Sequence, residues 1–197
     1  MAITLIGIGG EPATGKSTLM KRMFPQIHHT TNNTIKLLRY HQLEYGGKQV
    51  YVLGDYTDNG TAFTGTDRLS MAVMPEAVST LRIWSMETLF DGSVVMFEGD
   101  RLFSRKFFES VIEMQKEVEP EKRVDVRLIV LRAGGDELDS RHLDRGDTQT
   151  ESWLKGRATK VNRLCEMYSH WIEERENNNQ AQCLATVERL SEIIHSC

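Results

Sequence analysis

A glycine-rich segment near the N-terminus has the residue types and spacing that bind phosphate. Residues 10–17 read Gly-Glu-Pro-Ala-Thr-Gly-Lys-Ser, which fits the pattern GxxxxGK[ST] without deviation. Gly10 and Gly15 let the backbone curl around phosphate groups and offer them N–H donors. Lys16 supplies a positive charge for the β- and γ-phosphates of a nucleotide, and the Ser17 hydroxyl is a ligand for Mg²⁺. The segment therefore predicts a site for ATP and Mg²⁺.

The residues on either side support this prediction. Residues 3–8 form an apolar run bounded by glycines, which indicates a buried strand, and residues 16–24 have helical spacing and end at Pro25. A strand, a glycine loop and a helix in this order bring the positive end of the helix to the phosphates. We expect the contacts with the nucleotide to come from Gly10, Ala13, Thr14, Gly15, Lys16, Ser17 and Thr18.

Two acids directly follow later apolar runs. Asp55 comes after residues 50–54, and Glu98 comes after residues 94–97. Open α/β sheets bind their ligands at the carboxyl ends of the strands, where both acids would lie. Phosphoryl transfer needs one carboxylate that accepts or orients the proton of the attacking hydroxyl and another on the metal side. Each acid also fits a simpler role, the start of a loop.

Two further segments carry candidate substrate contacts. Residues 54–70 are rich in Gly, Thr and Asp and predict a long loop, which in a compact domain is usually functional. Within it, Asp67 and Arg68 are expected to contact the acceptor. The alternative is that Asp67 or Ser70 caps the next helix. Arg101 follows Glu98 closely and would either clamp phosphate or form a surface ion pair with Asp100.

A polar segment after the third apolar run contains Arg141 and Arg145. Arginines in such a lid close over a transferring phosphoryl group and neutralise its charge, and we place the lid at about residues 134–158. The helix predicted next, over residues 151–176, carries basic residues that indicate a solvated face, with phosphate contact as the alternative. These residues are Arg157, Lys160 and Arg163.

The order of the predicted elements indicates one α/β domain with a mainly parallel sheet covered by helices on both faces. Two extended runs around Gly46-Gly47 predict a β-hairpin within an acceptor-side insertion at about residues 32–72. Near the C-terminus we predict a last strand over residues 183–187 and a closing helix over residues 190–194. The loop after Val187 is the expected position of the adenine site.

Composition argues against several classes of protein. The 197 residues carry a formal net charge of -4, so the chain lacks the basic balance typical of proteins that grip a long nucleic acid. Its three cysteines form no CxxC pair, which argues against a disulfide framework and against a zinc site. No stretch reaches the roughly 18 apolar residues of a membrane span, and the N-terminus has no signal-peptide pattern. We expect a cytoplasmic protein.

The size of the chain, its N-terminal phosphate loop and its arginine-bearing lid resemble the small P-loop kinases of nucleosides, nucleotides and metabolites. This resemblance implies a five-stranded parallel sheet with the phosphate-loop strand at its centre, a mobile lid over ATP and an acceptor site beside the γ-phosphate. In such kinases the acid after the second strand commonly serves as the base and the next one serves the metal. The resemblance thus implies Asp55 as the base and Glu98, with Ser17, on the metal side, although the two roles remain exchangeable.

Four segments together resemble a narrower group, the bacteriophage hydroxymethyluracil DNA kinases: residues 9–17, 53–56, 65–70 and 97–102. These enzymes phosphorylate the hydroxymethyl group of a modified base within DNA, so the resemblance implies a step in making hypermodified thymine. A base inside duplex DNA must be extruded to reach such a site, and the enzyme needs a positive surface nearby. We expect that surface from Lys36, Arg39, Lys155, Arg157 and Lys160.

Two alternatives remain open at this point. A kinase of a free nucleoside, nucleotide or other small metabolite would have an enclosed acceptor pocket and weak salt dependence. A nucleotide-dependent binding switch would bind ATP without any acceptor, but the acids at the strand ends and the nearby arginines argue against it.

Overall fold

The computed structural model describes residues 3–29, 32–57, 64–144, 146 and 149–197. Its strands are β1 (Thr4–Gly10), β2 (Asn33–Ile35), β3 (Leu38–Tyr45), β4 (Lys48–Leu53), β5 (Val94–Glu98), β6 (Asp125–Arg132) and β7 (Ile172–Glu176). Its α-helices are α1 (Lys16–Met23), α2 (Val73–Met86), α3 (Arg105–Lys116), α4 (Gly135–Asp144), α5 (Glu151–Met167) and α6 (Gln180–Ser196).

All seven strands belong to one sheet, in the order β2-β3-β4-β5-β1-β6-β7. The strands from β4 to β7 in this order pair in parallel, whereas β3 pairs antiparallel with β4 and β2 with β3. The expected mainly parallel sheet is confirmed, but it has seven strands rather than five. The hairpin adds β3 to the five parallel strands, and β2 pairs with β3 as the seventh strand. Gly46 and Gly47, with φ of 56° and 78°, form the hairpin turn, and positive φ at both central residues is what a type I′ turn requires.

The strand β1 lies between β5 and β6, and all seven of its residues are buried. Its side chains alternate between two cores, so that Leu5 packs with residues of α2, α3 and α5 while Ile6 packs with residues of α1 and α6. Helices therefore cover both faces of the sheet, as expected for parallel strands. Because β1 and β5 run in parallel, Gly10 and Glu98 end at the same edge of the sheet.

The C-terminal part of the chain differs from the sequence prediction. The helix predicted over residues 151–176 ends at Met167, and residues 172–176 form the edge strand β7. This strand reads Ile-Glu-Glu-Arg-Glu, and charged residues that protect a sheet edge also hide the apolar pattern of a strand. The strand predicted over residues 183–187 instead lies inside α6, whose N-cap Asn179 accepts a hydrogen bond from the Gln182 amide.

The polar segment predicted as a lid contains a helix, α4, in which no residue is buried. Its exposure explains why an apolar helical stripe does not mark it in the sequence. Of the helices in the described ranges, none has both the length and the apolar character that crossing a bilayer would require.

Candidate active site

The phosphate loop between β1 and α1 has backbone geometry that requires small residues. Gly10 and Gly15 have φ of 140° and 89°, and Ala13 also has a positive φ of 63°. A Cβ on Gly10 would lie 2.6 Å from the carbonyl oxygen of Leu131, and one on Gly15 would lie 2.5 Å from Nδ2 of Asn177. Both glycines are therefore needed for the conformation itself, as the motif predicted.

Helix α1 presents its first amide groups toward this loop. Its N-cap, Gly15, supplies no side-chain cap, and the amide of Leu19 donates to the Gly15 carbonyl at 2.9 Å. The N–H groups of residues 16–18 thus precede the helical hydrogen-bond ladder and suit an anion. Lys16 folds back over the loop, where its Nζ donates to the carbonyl oxygens of Gly10 at 3.0 Å and Glu11 at 2.7 Å.

Glu98, the last residue of β5, lies directly against the start of α1. Its side chain is buried, and its Oε1 accepts hydrogen bonds from Ser17 Oγ at 3.1 Å and Thr64 Oγ1 at 3.2 Å. Burial raises the pKa of Glu98 to about 7, with Lys16 opposing and Asp67 adding to the rise. A hydroxyl and a carboxylate side by side are the hard oxygen donors that Mg²⁺ prefers, so Ser17 and Glu98 fit the ion.

A cavity of about 830 Å³ opens at the carboxyl ends of the strands, above this pair. Its volume lies in the usual range for small-molecule sites. Three groups of side chains line it: the phosphate loop with Lys16 and Ser17, an acidic and basic wall, and a rim from the C-terminal half of the chain. The wall and rim include Asp67, Glu98, Asp100, Arg101, Arg141, Gln149, Trp153, Arg157, Asn177 and Asn178.

Asp67 is another carboxylate that lines this cavity, and it lies in the loop that the sequence marked. Its Oδ1 accepts a hydrogen bond from the backbone amide of Arg101 at 3.2 Å, and Arg101 Nε donates to the Leu69 carbonyl at 3.3 Å. Burial and the nearby Asp100 raise the pKa of Asp67, while Lys16 lowers it. Asp67, Arg101 and Lys16 are therefore brought together, as candidate contacts with a substrate should be.

The alternatives considered for these residues fit the structure less well. The N-cap residue of helix α2 is Ala72, and no side chain forms a capping hydrogen bond there. Asp67 therefore does not cap that helix. Asp100 pairs with Arg157 at 2.7 Å, on α5, and Arg101 reaches along the other side toward Leu69. Both Asp67 and Arg101 thus remain candidates for substrate contact.

Asp55 is buried too, but donors surround its carboxylate. Its oxygens accept from Arg39 Nη1 at 2.6 Å, Arg68 Nη1 at 3.2 Å, Asn32 Nδ2 at 3.1 Å, and the Thr57 amide at 3.0 Å. Burial alone would raise the pKa of Asp55, but hydrogen bonds from Thr57, Asn32 and Arg39 outweigh it and lower the pKa to about 2.

Asp55 and Arg68 are not among the described residues that line the cavity. Arg68 also donates to the Thr57 carbonyl at 2.6 Å, so the two side chains tie the ends of the loop together. The structure therefore does not bring the predicted base, Asp55, or the predicted acceptor contact, Arg68, into the cavity. Their placement fits a role in positioning the loop that carries Asp67.

Arg141, on α4, is held against the phosphate loop. Its guanidinium donates to the carbonyl oxygens of Ala13 at 3.1 Å and Asn177 at 2.7 Å, and to Glu137 Oε1 at 2.7 Å. The predicted lid arginine thus lies at the nucleotide end of the cavity. Arg145, the other predicted lid arginine, lies outside the described residues.

The amino-acid sequence matches a known family. The family model described as P-loop Nucleotide Kinase3 matches residues 1–182. The chain belongs to the P-loop Nucleotide Kinase3 family. No curated protein matches it.

Two solved structures are similar to this chain at low sequence identity. A gluconokinase from Sinorhizobium meliloti 1021 is 13% identical over 98% of this chain and 95% of its own, with a TM-score of 0.45. A candidate nucleolar GTP-binding protein 1 from Plasmodium falciparum is 11% identical over 99% of this chain and 89% of its own, with a TM-score of 0.35. TM-scores below 0.5 do not establish a shared fold.

In this P-loop kinase, sequence reasoning missed the loop between β7 and α6. Asn177 Nδ2 donates to the Thr14 carbonyl at 2.7 Å, and Asn178 Oδ1 accepts from the Gly134 amide at 2.6 Å. Both residues line the nucleotide end of the cavity, whereas Val187, the predicted start of an adenine loop, lies inside α6. The run Asn177-Asn178-Asn179 could have identified the loop, because Asn is common at helix N-caps.

The basic patch expected for a DNA acceptor consists of paired cations in this kinase. Every member has a carboxylate within 4 Å, and the pairs divide between the β2–β3 region and α5. The pairs are Lys36–Glu76, Arg39–Asp55, Lys155–Glu151, Arg157–Asp100 and Lys160–Asp100.

Proposed function

We propose that this P-loop nucleotide kinase transfers the γ-phosphate of ATP, with Mg²⁺, to a hydroxyl group of its acceptor. The observation that supports this most is the convergence of four side chains in one cavity. Lys16 and Ser17 begin α1, Glu98 ends β5, and Asp67 faces them from the loop after β4. Their chemistry provides the phosphate site, the metal site and the base that phosphoryl transfer needs.

The phosphate loop would hold the triphosphate. Its amide groups at residues 16–18 suit the phosphate oxygens, and those oxygens would replace the Gly10 and Glu11 carbonyls that now accept from Lys16. Ser17 and Glu98 would hold Mg²⁺, which, when bound, neutralises negative charge on the β- and γ-phosphates. The charge of Lys16 and the metal would also lower the pKa of Glu98, so that it binds as a carboxylate.

The base is better assigned to Asp67 than to Asp55. Asp67 lines the cavity and carries few donors on its carboxylate, so it can accept the proton of the acceptor hydroxyl. The oxygens of Asp55 are committed to Arg39, Arg68 and neighbouring groups, and its pKa of about 2 disfavours proton uptake. Arg101 and Arg141 would neutralise charge that develops on the transferring group.

Two classes of compound are candidates for the acceptor of the phosphoryl group. The resemblance of four segments to the hydroxymethyluracil DNA kinases of bacteriophages supports the hydroxymethyl group of that base in DNA. The second candidate is a free nucleoside, nucleotide or other small metabolite, and it is favoured by the paired state of the expected DNA-binding patch. Paired cations have less charge to offer a phosphate backbone.

Label transfer from γ-³²P-ATP tests the proposal. The panel contains plain DNA, hydroxymethyluracil-containing DNA, free nucleosides, nucleoside monophosphates and gluconate. We expect label on an acceptor with the wild-type chain and none with Lys16→Ala, because the Lys16 charge acts on the transferring phosphates. Lys106→Ala, an exposed lysine on α3, is the matched control and should keep full activity.

The panel also separates the alternatives. Label on the modified DNA alone would identify a DNA base kinase, and label on a free nucleoside or monophosphate would identify a nucleotide-type kinase. ATP binding and slow phosphate release without a labelled acceptor would contradict the proposal and indicate a nucleotide-dependent switch.

A further inference from the structure

The cavity has an aromatic side chain on its rim that the transfer chemistry does not use. Trp153 lies in the first turn of α5, lines the cavity and keeps 38% of its surface exposed. Tryptophan offers a large flat face at a small cost in side-chain entropy, and it is therefore typical of binding surfaces.

Trp153 makes one contact through its backbone and one through its indole ring. The Trp153 amide donates to Oγ1 of Thr150, the N-cap of α5, at 3.3 Å. The guanidinium carbon of Arg157 lies 4.7 Å from the centre of the ring, and Arg157 Nη1 is 2.7 Å from Asp100 Oδ2. The Arg157 contact restrains one face of the ring before any ligand binds, which lowers the entropic cost of binding.

These contacts join Trp153 to the acceptor side of the cavity. Asp100 stands two residues after Glu98, and the neighbouring Gly99 packs so closely on Asp67 that an added Cβ would lie 2.9 Å from the Asp67 Cγ. The nucleotide end is formed instead by Arg141 and Asn177. Trp153 thus belongs to the wall that carries the proposed base.

A hydrogen-bonding group accompanies the ring. The Oε1 atom of Gln149, four residues before Trp153, is shielded from solvent and has no hydrogen-bond partner among the described residues. Gln149 also lines the cavity. A buried acceptor atom is stabilised when a ligand donates an N–H group to it, as a pyrimidine or purine ring can.

We propose that Trp153, with Arg157 behind it, is the platform on which the heterocyclic base of the acceptor stacks, and that Gln149 accepts an N–H of that base. The inference rests on the proposed function and deepens it. The acceptor is then a nucleobase-bearing hydroxyl compound, either a free nucleoside or nucleotide or a base extruded from DNA. A sugar acid or a polyol, which has no flat ring, would not use this wall.

Replacements of Trp153 in the full chain test the proposal. Trp153→Phe keeps an aromatic face, and Trp153→Leu keeps apolar bulk without one. Base stacking on an aromatic side chain corresponds to about 10- to 100-fold in affinity, so Trp153→Leu should raise the KM for the acceptor by about that factor. Trp153→Phe should change it less than about fivefold, and kcat and the Kd for ATP should change little in both variants.

The control variant is Leu89→Ala, which removes an exposed apolar side chain outside the cavity and should leave every constant unchanged.

A direct readout is tryptophan fluorescence during titration with thymidine, 5-hydroxymethyldeoxyuridine, hydroxymethyluracil-containing single-stranded DNA, gluconate and ATP. Quenching by the nucleosides or the DNA, lost in Trp153→Phe, would support the stacking site. If the single-stranded DNA also takes up the ³²P label, the base belongs to DNA, and if a nucleoside takes up the label, the base belongs to a free nucleoside.

Other outcomes would overturn the inference. Equal KM values for wild type and Trp153→Leu would show that the ring makes no contact with the acceptor. Quenching by ATP alone would assign the ring to the nucleotide, and transfer to gluconate without quenching by any nucleoside would exclude a base acceptor. ATP binding is measured separately by calorimetry. If ATP did not bind and no acceptor were labelled, the proposed function itself would be wrong, whereas ATP binding with a labelled acceptor and an unchanged KM in Trp153→Leu would contradict only the stacking site.

Discussion

The ends of β4 and β5 carry acids that look alike in the sequence and differ in the structure. Asp55 follows β4 closely and Glu98 is the last residue of β5, and each keeps only 2% of its surface exposed. Arginine, asparagine and threonine donors surround Asp55 and lower its pKa to about 2, whereas Glu98 has two hydroxyl donors and a pKa of about 7.

This difference shows that burial alone does not make an acid reactive. Both carboxylates are removed from water, which by itself raises their pKa values. The number of hydrogen-bond donors around each carboxylate then decides its role. A carboxylate with many donors stays charged and stabilises the structure, whereas one with few donors can bind a metal ion or a proton. The donors of Asp55 fix the loop that presents Asp67, and the open side of Glu98 faces the phosphate loop.

The largest effect should come from Asp67→Asn, which tests whether the base lies in the cavity with Glu98 rather than at Asp55. Loss of a general base costs about 10²- to 10⁴-fold in rate, and we expect kcat for label transfer to fall by that amount while the Kd for ATP changes little. Asp55→Asn is the matched control, with a fall of less than about tenfold. A greater loss in Asp55→Asn than in Asp67→Asn would return the base role to Asp55.

The free energy of unfolding of Glu98→Gln, measured against pH, should sharpen the comparison between the two acids. The pKa of Glu98 is raised from 4.5 to about 7 in the folded state, so its contribution to stability is complete below pH 4.5 and is lost as the pH rises through about 7. The loss corresponds to at most about 3 kcal/mol. In denaturant unfolding without nucleotide or metal, we therefore expect Glu98→Gln to be more stable than wild type at pH 8 and to lose that advantage at pH 4. Parallel pH profiles would contradict the raised pKa.

Asp55→Asn should show the opposite sign and a smaller change. The pKa of Asp55 is lowered from 3.8 to about 2, so its stabilisation is present above pH 3.8 and is lost as the pH falls through about 2. We expect the variant to lose about 2 kcal/mol in the free energy of unfolding at pH 7. The difference from wild type should shrink as the pH approaches 2, and a constant difference would show that the carboxylate charge is not responsible.

Much of the nucleotide end was predictable from the sequence. The phosphate loop, the strand before it and the helix after it were placed correctly, because a strict local motif fixes local geometry. The hairpin was also predictable from Gly46-Gly47. The pattern failed at β7, where charges protect the sheet edge, and at α4 and the start of α6, where exposed or mixed faces give no clear period.

Tertiary structure decided the rest of the site. Glu98 could be assigned to a strand end, but its contact with Ser17 depends on β1 and β5 lying side by side, and these strands are far apart in the chain. Which acids face the cavity depends on long-range partners such as Arg39 and Arg157, whose positions no local pattern gives. The sequence by itself determined the phosphate loop and its glycine-dependent geometry, since adjacent residues build that loop. Packing decided which acids line the cavity and which lie outside it, since separate elements meet there.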